Sequence, residues 1–131
     1  MRKAFWIAGV AGIMAAILGG AAFAPGTDDF IMEGDAYLYT MDYTDALAQY
    51  LQAYADKKAQ TDPELNFKIG VCYLASLHDK TKAIIYLDKA LKKDPEVHVD
   101  VLYLMGRALQ YAARYNEAKI YYTRYKATLT E

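Results

Sequence analysis

The chain separates by pattern into two unequal parts. Between Lys3 and Asp28 no charged residue occurs, and the run is apolar or small throughout. From Asp28 onward, apolar positions recur in steps of three and four, the period of amphipathic helices. The second part also repeats itself. Gly34, Gly70 and Gly106 stand 36 residues apart, and each is followed three positions later by a large side chain, Tyr37, Tyr73 and Leu109. Ala46, Ala83 and Ala118 recur at spacings of 37 and 35. Four residues after each alanine comes Tyr50, Leu87 or Tyr122, and three further on Ala53, Ala90 or Tyr125. Both steps keep to one helical face, so each repeat holds two helices, the first centred on Gly and the second on Ala. No stretch of four or more residues alternates as a strand.

Turn chemistry agrees with that division. Asp62-Pro63-Glu64 and Asp94-Pro95-Glu96 give the same signal twice: an N-cap acceptor, a proline at the first helical position and a carboxylate at the positive helix end. Thr27, Asp42 and Asp79 are the remaining cap candidates. The pattern predicts helices over 28–40, 43–58, 63–76, 79–92, 96–110 and 114–129. The second helix should overrun by about a turn, because Ala53 to Pro63 spans ten residues against five from Ala90 to Pro95. Close approach of the paired helices is expected where Gly34 faces Ala46, Gly70 faces Ala83 and Gly106 faces Ala118.

The uncharged run has the plan of a signal peptide: Arg2 and Lys3, an apolar stretch, then small residues. Residues 1–22 are expected to be removed after Ala22, since cleavage after Ala24 would place Pro25 next to the cut. The alternative is an uncleaved anchor, since the run approaches the ~20 residues that span a bilayer. A lipid-anchored form would need a cysteine at the cut, and the only one is Cys72. Localisation is thus expected to be exported, periplasmic or at the cell envelope, with the membrane touched only through this segment. Charge is uneven in the remainder: residues 23–56 hold seven acidic and no basic side chains, whereas 57–131 hold 13 basic and nine acidic. An acidic end of this kind attracts a basic segment.

The Gly and Ala spacing resembles the tetratricopeptide repeat, a helix-turn-helix unit of about 34 residues. The resemblance covers residues 27–131 in three copies, about 27–62, 63–94 and 95–131. It departs from the pattern at Glu33, where Ile69 and Met105 stand in the other copies, and at Phe30, Asn66 and Leu102, where the family often has Trp. It implies an all-α, right-handed solenoid of three helical hairpins. Segments such as LNFKIGVCYL and KAIIYLDKALKKDP are also similar to the amino-terminal repeat arrays of exported bacterial envelope proteins, in which a β-propeller and an OmpA-like domain follow.

Catalytic chemistry finds little footing. Cys72 falls mid-helix in a core-like stretch, and neither His78 nor His98 shares its face. There is no HExxH, calcium-loop or phosphate-loop motif. A single thiol excludes a multi-cysteine zinc site, and a pI of about 6.1 without a basic block argues against duplex nucleic acid. No catalytic residue, metal or cofactor is therefore implied, and the protein is expected not to be an enzyme. The resemblance places Asp35, Tyr39, Phe67, Lys68, Tyr103, Arg107 and Tyr111 on the concave groove of the first helices, an aromatic surface of mixed charge suited to peptide capture. It does not reproduce the carboxylate clamp of chaperone-binding relatives, since Ile31 and Asp35 occupy its first-repeat places. The expected partner is a protein or peptide segment bound in that groove. The alternative is a structural subunit of an envelope or secretion assembly, docking through Tyr122, Tyr125 and Leu129 of the last helix onto a further domain or a second copy.

Overall fold

The computed structural model describes residues 24–130. The expected signal segment at 1–22 lies outside them. The fold is all-α: among the described residues there are six α-helices and no strand. They are α1 (Thr27–Tyr39), α2 (Tyr43–Ala53), α3 (Pro63–Ala75), α4 (Ala83–Lys93), α5 (Val101–Tyr111) and α6 (Tyr115–Thr128), with single 3-10 turns at Ala59–Thr61 and Lys80–Lys82. α1 pairs with α2, α3 with α4 and α5 with α6; α2 then meets α3, and α4 meets α5. α3 also touches α5, so the first helices of the second and third hairpins lie side by side.

Each hairpin closes on its glycine. A Cβ built on Gly34 would lie 2.5 Å from a ring carbon of Tyr50, one on Gly70 would lie 2.7 Å from Leu87, and one on Gly106 would lie 2.6 Å from Tyr122. The neighbour against each glycine is therefore the large residue one turn beyond the expected alanine. Ala46, Ala83 and Ala118 are buried as well, and their small size lets the helix pair approach while the Tyr or Leu fills the space above Gly. Between hairpins the core is apolar except at Asn66: Leu47, Leu65, Ile69, Val101, Met105 and Leu109 are all buried. Each such side chain contributes about 1.5–3 kcal/mol relative to an exposed position.

The helix ends follow local hydrogen bonding. The Asp42 and Asp62 carboxylates accept from the N–H groups of Asp45 and Glu64. Gly26, not Thr27, is the N-cap of α1, and the Asp29 carboxylate accepts from its N–H at 2.8 Å. Met41 and Ala113 take left-handed φ values of 61° and 57° just after α1 and α5. There the N–H groups of Asp42 and Arg114 close back onto the carbonyls of Tyr37 and Leu109, both at 2.9 Å, the Schellman arrangement. The second hairpin's link between helices, residues 76–82, is longer and ends differently: the Lys80 ammonium donates to the carbonyls of Leu74 and Ser76 at 2.6 and 2.8 Å.

Three helices depart from the predicted bounds by more than two residues. α2 stops at Ala53 and does not overrun to 58, because the Asp56 carboxylate accepts from Lys58 N–H at 2.9 Å and from the Thr27 hydroxyl at 3.1 Å, a local alternative to the helical ladder. α5 begins at Val101, five residues later than expected. Asp94 does accept from Glu96 N–H at 2.9 Å, but His98 Nδ1 then accepts from Asp100 N–H at 3.1 Å and turns the chain again. Asp79 caps the Lys80–Lys82 turn through Thr81 N–H, and α4 starts only at Ala83.

Candidate protein-interaction surfaces

Five of the seven residues expected to line a groove fall into two groups in space. Lys68 on α3 reaches Asp35 on α1 at 2.9 Å and Glu64 on its own helix at 2.9 Å. Tyr50, fully buried, donates its hydroxyl to the same Asp35 carboxylate at 2.6 Å. Asp35 is thus a junction between the first two hairpins. Burial alone would lower the Lys68 ammonium pKa, but hydrogen bonds to Asp35 and Glu64 outweigh it and hold the group above its ordinary value. Burial, then the Asp35 hydrogen bond and charge, raises the Tyr50 phenol.

The second group is on α5. Tyr103 and Tyr111 are 40% and 49% exposed, and Arg107 lies between them on the same face. The Arg107 guanidinium sits 5.9 Å from the Tyr111 ring centroid, and one nitrogen is 3.4 Å from the Tyr111 hydroxyl. From the other hairpin Lys80 approaches the same ring at 5.5 Å. Among the described residues no carboxylate lies within ion-pair distance of Arg107. Tyr103 leans toward α6, its ring 5.8 Å from Tyr122 and 5.6 Å from Tyr125.

Phe67 and Tyr39 stand apart from both groups. Phe67 is buried and stacks on His98 at 4.5 Å, so it braces the turn before α5. Tyr39, at the end of α1, is 89% exposed. Of the terminal-helix residues, Tyr122 covers Gly106 and donates to Gln110 at 2.9 Å. Tyr125 donates to Asp100 at 2.7 Å, and that bond, ahead of burial and the carboxylate's charge, raises its pKa. Leu129 is 66% exposed. It borders a cavity of about 430 Å3 together with Val99, Leu102 and Tyr125.

A polar site that the periodicity did not announce lies between the first two hairpins. Asn66, 1% exposed, donates its amide to the carbonyls of Gln60 and Asp62 at 3.0 and 2.9 Å and accepts from the Tyr54 hydroxyl at 3.1 Å. Lys89 on α4 donates in turn to Tyr54 at 2.8 Å. The signal was the Asn at a position where the other copies have Phe30 and Leu102. Cys72 is fully buried, and its surroundings push the thiol up to about 12. Among the described residues no group of three or more His, Cys, Asp or Glu could hold a metal ion, and no helix is long and apolar enough to cross a membrane.

Compared with known protein families and with curated proteins, the chain matches none.

Proposed function

We propose that this chain is a protein-interaction module, a right-handed solenoid of three tetratricopeptide-like hairpins exported to the periplasm or cell envelope. Its ligand is a segment of another protein laid along α1, α3 and α5. The observation that carries this reading is the α5 face, where a guanidinium without a carboxylate partner among the described residues is flanked by two half-exposed tyrosines. Tyrosine supplies a wide contact at low entropic cost, and Arg107 supplies a directional donor for an acidic side chain. At the other end the net charge is negative. Asp35 is already neutralised by Lys68, so basic ligand residues are met by Asp28 and the neighbouring carboxylates and not by Asp35 itself. Capture experiments on envelope extract, comparing the wild type with Arg107→Glu/Tyr111→Ala, test the reading. Partners retained equally by both proteins would place binding elsewhere.

A second reading has one observation in its favour. The cavity beside Leu129 is bordered by Val99, which is 80% exposed, and by Leu102 and Tyr125, and an apolar side chain of an assembly partner fits there. It has less support than the groove, because Tyr122 and Tyr125 spend their hydroxyls inside their own hairpin. Leu129→Asp separates the two, weakening docking at the last helix while leaving groove binding intact.

A further inference from the structure

The equivalence of the hairpins reveals where the outer two depart from the middle one. On α3 and α5, Leu65, Ile69, Val101 and Met105 are buried to 2% exposure or less against the preceding hairpin. The same positions of α1, 36 residues before those of α3, are Asp29 and Glu33, both exposed. Leu47 of α2, Tyr54 at its C-cap, and Ile84 and Leu91 of α4 are buried or half-buried, on segments that meet the following hairpin. Their equivalents on α6 are Lys119 and Lys126, again exposed. The outward faces of the first and third hairpins therefore keep the geometry of the inner contacts but replace the apolar pair by charge, negative on α1 and positive on α6. None of these four charged side chains makes an ion pair among the described residues.

We propose that copies of this chain stack head to tail, with the basic face of α6 in one copy covering the acidic face of α1 in the next and Lys119 and Lys126 set against Asp29 and Glu33. The occupant is a second copy because each face is the electrostatic complement of the other and because the two faces are successive surfaces of one stacking geometry. Met32 and Tyr115, 68% and 65% exposed, stand on α1 and α6 and supply apolar area. Such a contact is heterologous: it does not close on itself, and repetition makes an open stack. Its charges are exposed, so each pair contributes little and is screened by salt. Association is accordingly weak and strongest at low ionic strength. It does not depend on groove binding.

The test measures mass by sedimentation equilibrium on the full chain as the cell produces it, over a concentration series. At low salt the average mass should climb with concentration, and at about 1 M salt, where screening extends only about 3 Å, it should return to the monomer value. The charge-reversed proteins Lys119→Glu/Lys126→Glu and Asp29→Lys/Glu33→Lys should each stay monomeric. Mixed in equal amounts they should associate again, since every face then meets its opposite. Helicity measured in parallel verifies that each variant is folded; should one not be, Lys119→Gln/Lys126→Gln replaces it and should lower association at least several-fold. A wild type that stays monomeric at low salt would overturn the proposal and assign the charges to keeping the faces apart. Association unchanged by the reversals, or folded variants that fail to associate when mixed, would overturn it equally.

Discussion

Replacing Gly70 by Ala puts the hairpin geometry to a quantitative test, because the intrinsic and tertiary effects have opposite signs. In an exposed helix the change should stabilise by about 1 kcal/mol, since glycine is the poorer helix former. At Gly70 the new Cβ would lie 2.7 Å from both the Cγ and one Cδ of Leu87. The Cγ is a branch point, so the whole side chain must move, and Leu87 is fully buried. Overpacking of this kind costs about 1–3 kcal/mol, which leaves a net loss of up to about 2 kcal/mol. For a helical region of this size, each kcal/mol lowers the melting midpoint by about 4–8 °C. The three glycines should also rank. Gly34→Ala should be at least as costly as Gly70→Ala, because its neighbour Tyr50 is fully buried and tied to Asp35 at 2.6 Å. Gly106→Ala should be the mildest, because Tyr122 is only half-buried and its ring can swing outward. Thermal and urea unfolding followed by far-ultraviolet circular dichroism measures all three. A rise in midpoint for Gly70→Ala, or Gly106→Ala as the worst of the set, would refute the close packing.

Four further outcomes are expected. Asn66→Ala should cost about 1–3 kcal/mol by leaving the Gln60 and Asp62 carbonyls without their side-chain donor, read by urea unfolding; a loss below half a kcal/mol is not compatible with that role. Ala113→Gly should raise stability by roughly 1 kcal/mol, because Ala113 holds a left-handed φ of 57° that glycine adopts freely, and a lower melting midpoint would contradict it. Native Cys72 should resist a thiol reagent at mildly alkaline pH and react only as the protein unfolds, since burial pushes its thiol up to about 12; prompt labelling of the native protein would be inconsistent with it. The raised Tyr50 pKa makes the folded state hold its proton longer than the unfolded chain, so its contribution is intact below the ordinary tyrosine value and lost as pH rises above it. Tyr50→Phe should reduce the alkaline slope of stability by up to about 1.4 kcal/mol per pH unit, and identical slopes in the two proteins would refute that assignment.

The repeating Gly and Ala positions made the three helix pairs legible, because a small residue at fixed helical spacing constrains both helices of a pair at once. The caps at Asp42 and Asp62 were legible for the same local reason. The shortened α2 and the late start of α5 were not. Each depends on one side chain, Asp56 or His98, bonding to the backbone two residues on, and such a bond leaves no periodic trace. Periodicity also assigns a residue to a face without saying what lies opposite. Phe67 and Tyr103 occupy equivalent positions 36 residues apart, yet Phe67 is covered by His98 while Tyr103 remains 40% exposed. The difference comes from the turn between the second and third hairpins, which brings His98 over Phe67.

The uneven charge of the chain takes on a specific meaning once the acidic side chains are placed. Asp42 is consumed in capping α2, and Asp56 holds the turn that follows it. Asp35 is neutralised between Lys68 and the Tyr50 hydroxyl. What remains exposed on the outward face of α1 is chiefly Asp29 and Glu33, and Asp29 is partly engaged by Gly26 N–H. On the basic side, Lys92 pairs with Asp88 on its own helix and Arg114, at the N-cap of α6, pairs with Glu117; Lys80 is held by two carbonyls and Lys89 donates to the Tyr54 hydroxyl. Among the described residues Arg107, Lys119 and Lys126 have no ion-pair or capping task, and Lys57, Lys58, Lys82, Lys93 and Arg124 form no ion pair either. Because a charge committed to an internal partner has little left to offer an external one, the α5 face around Arg107 and the outward faces of α1 and α6 are where we propose that other proteins bind.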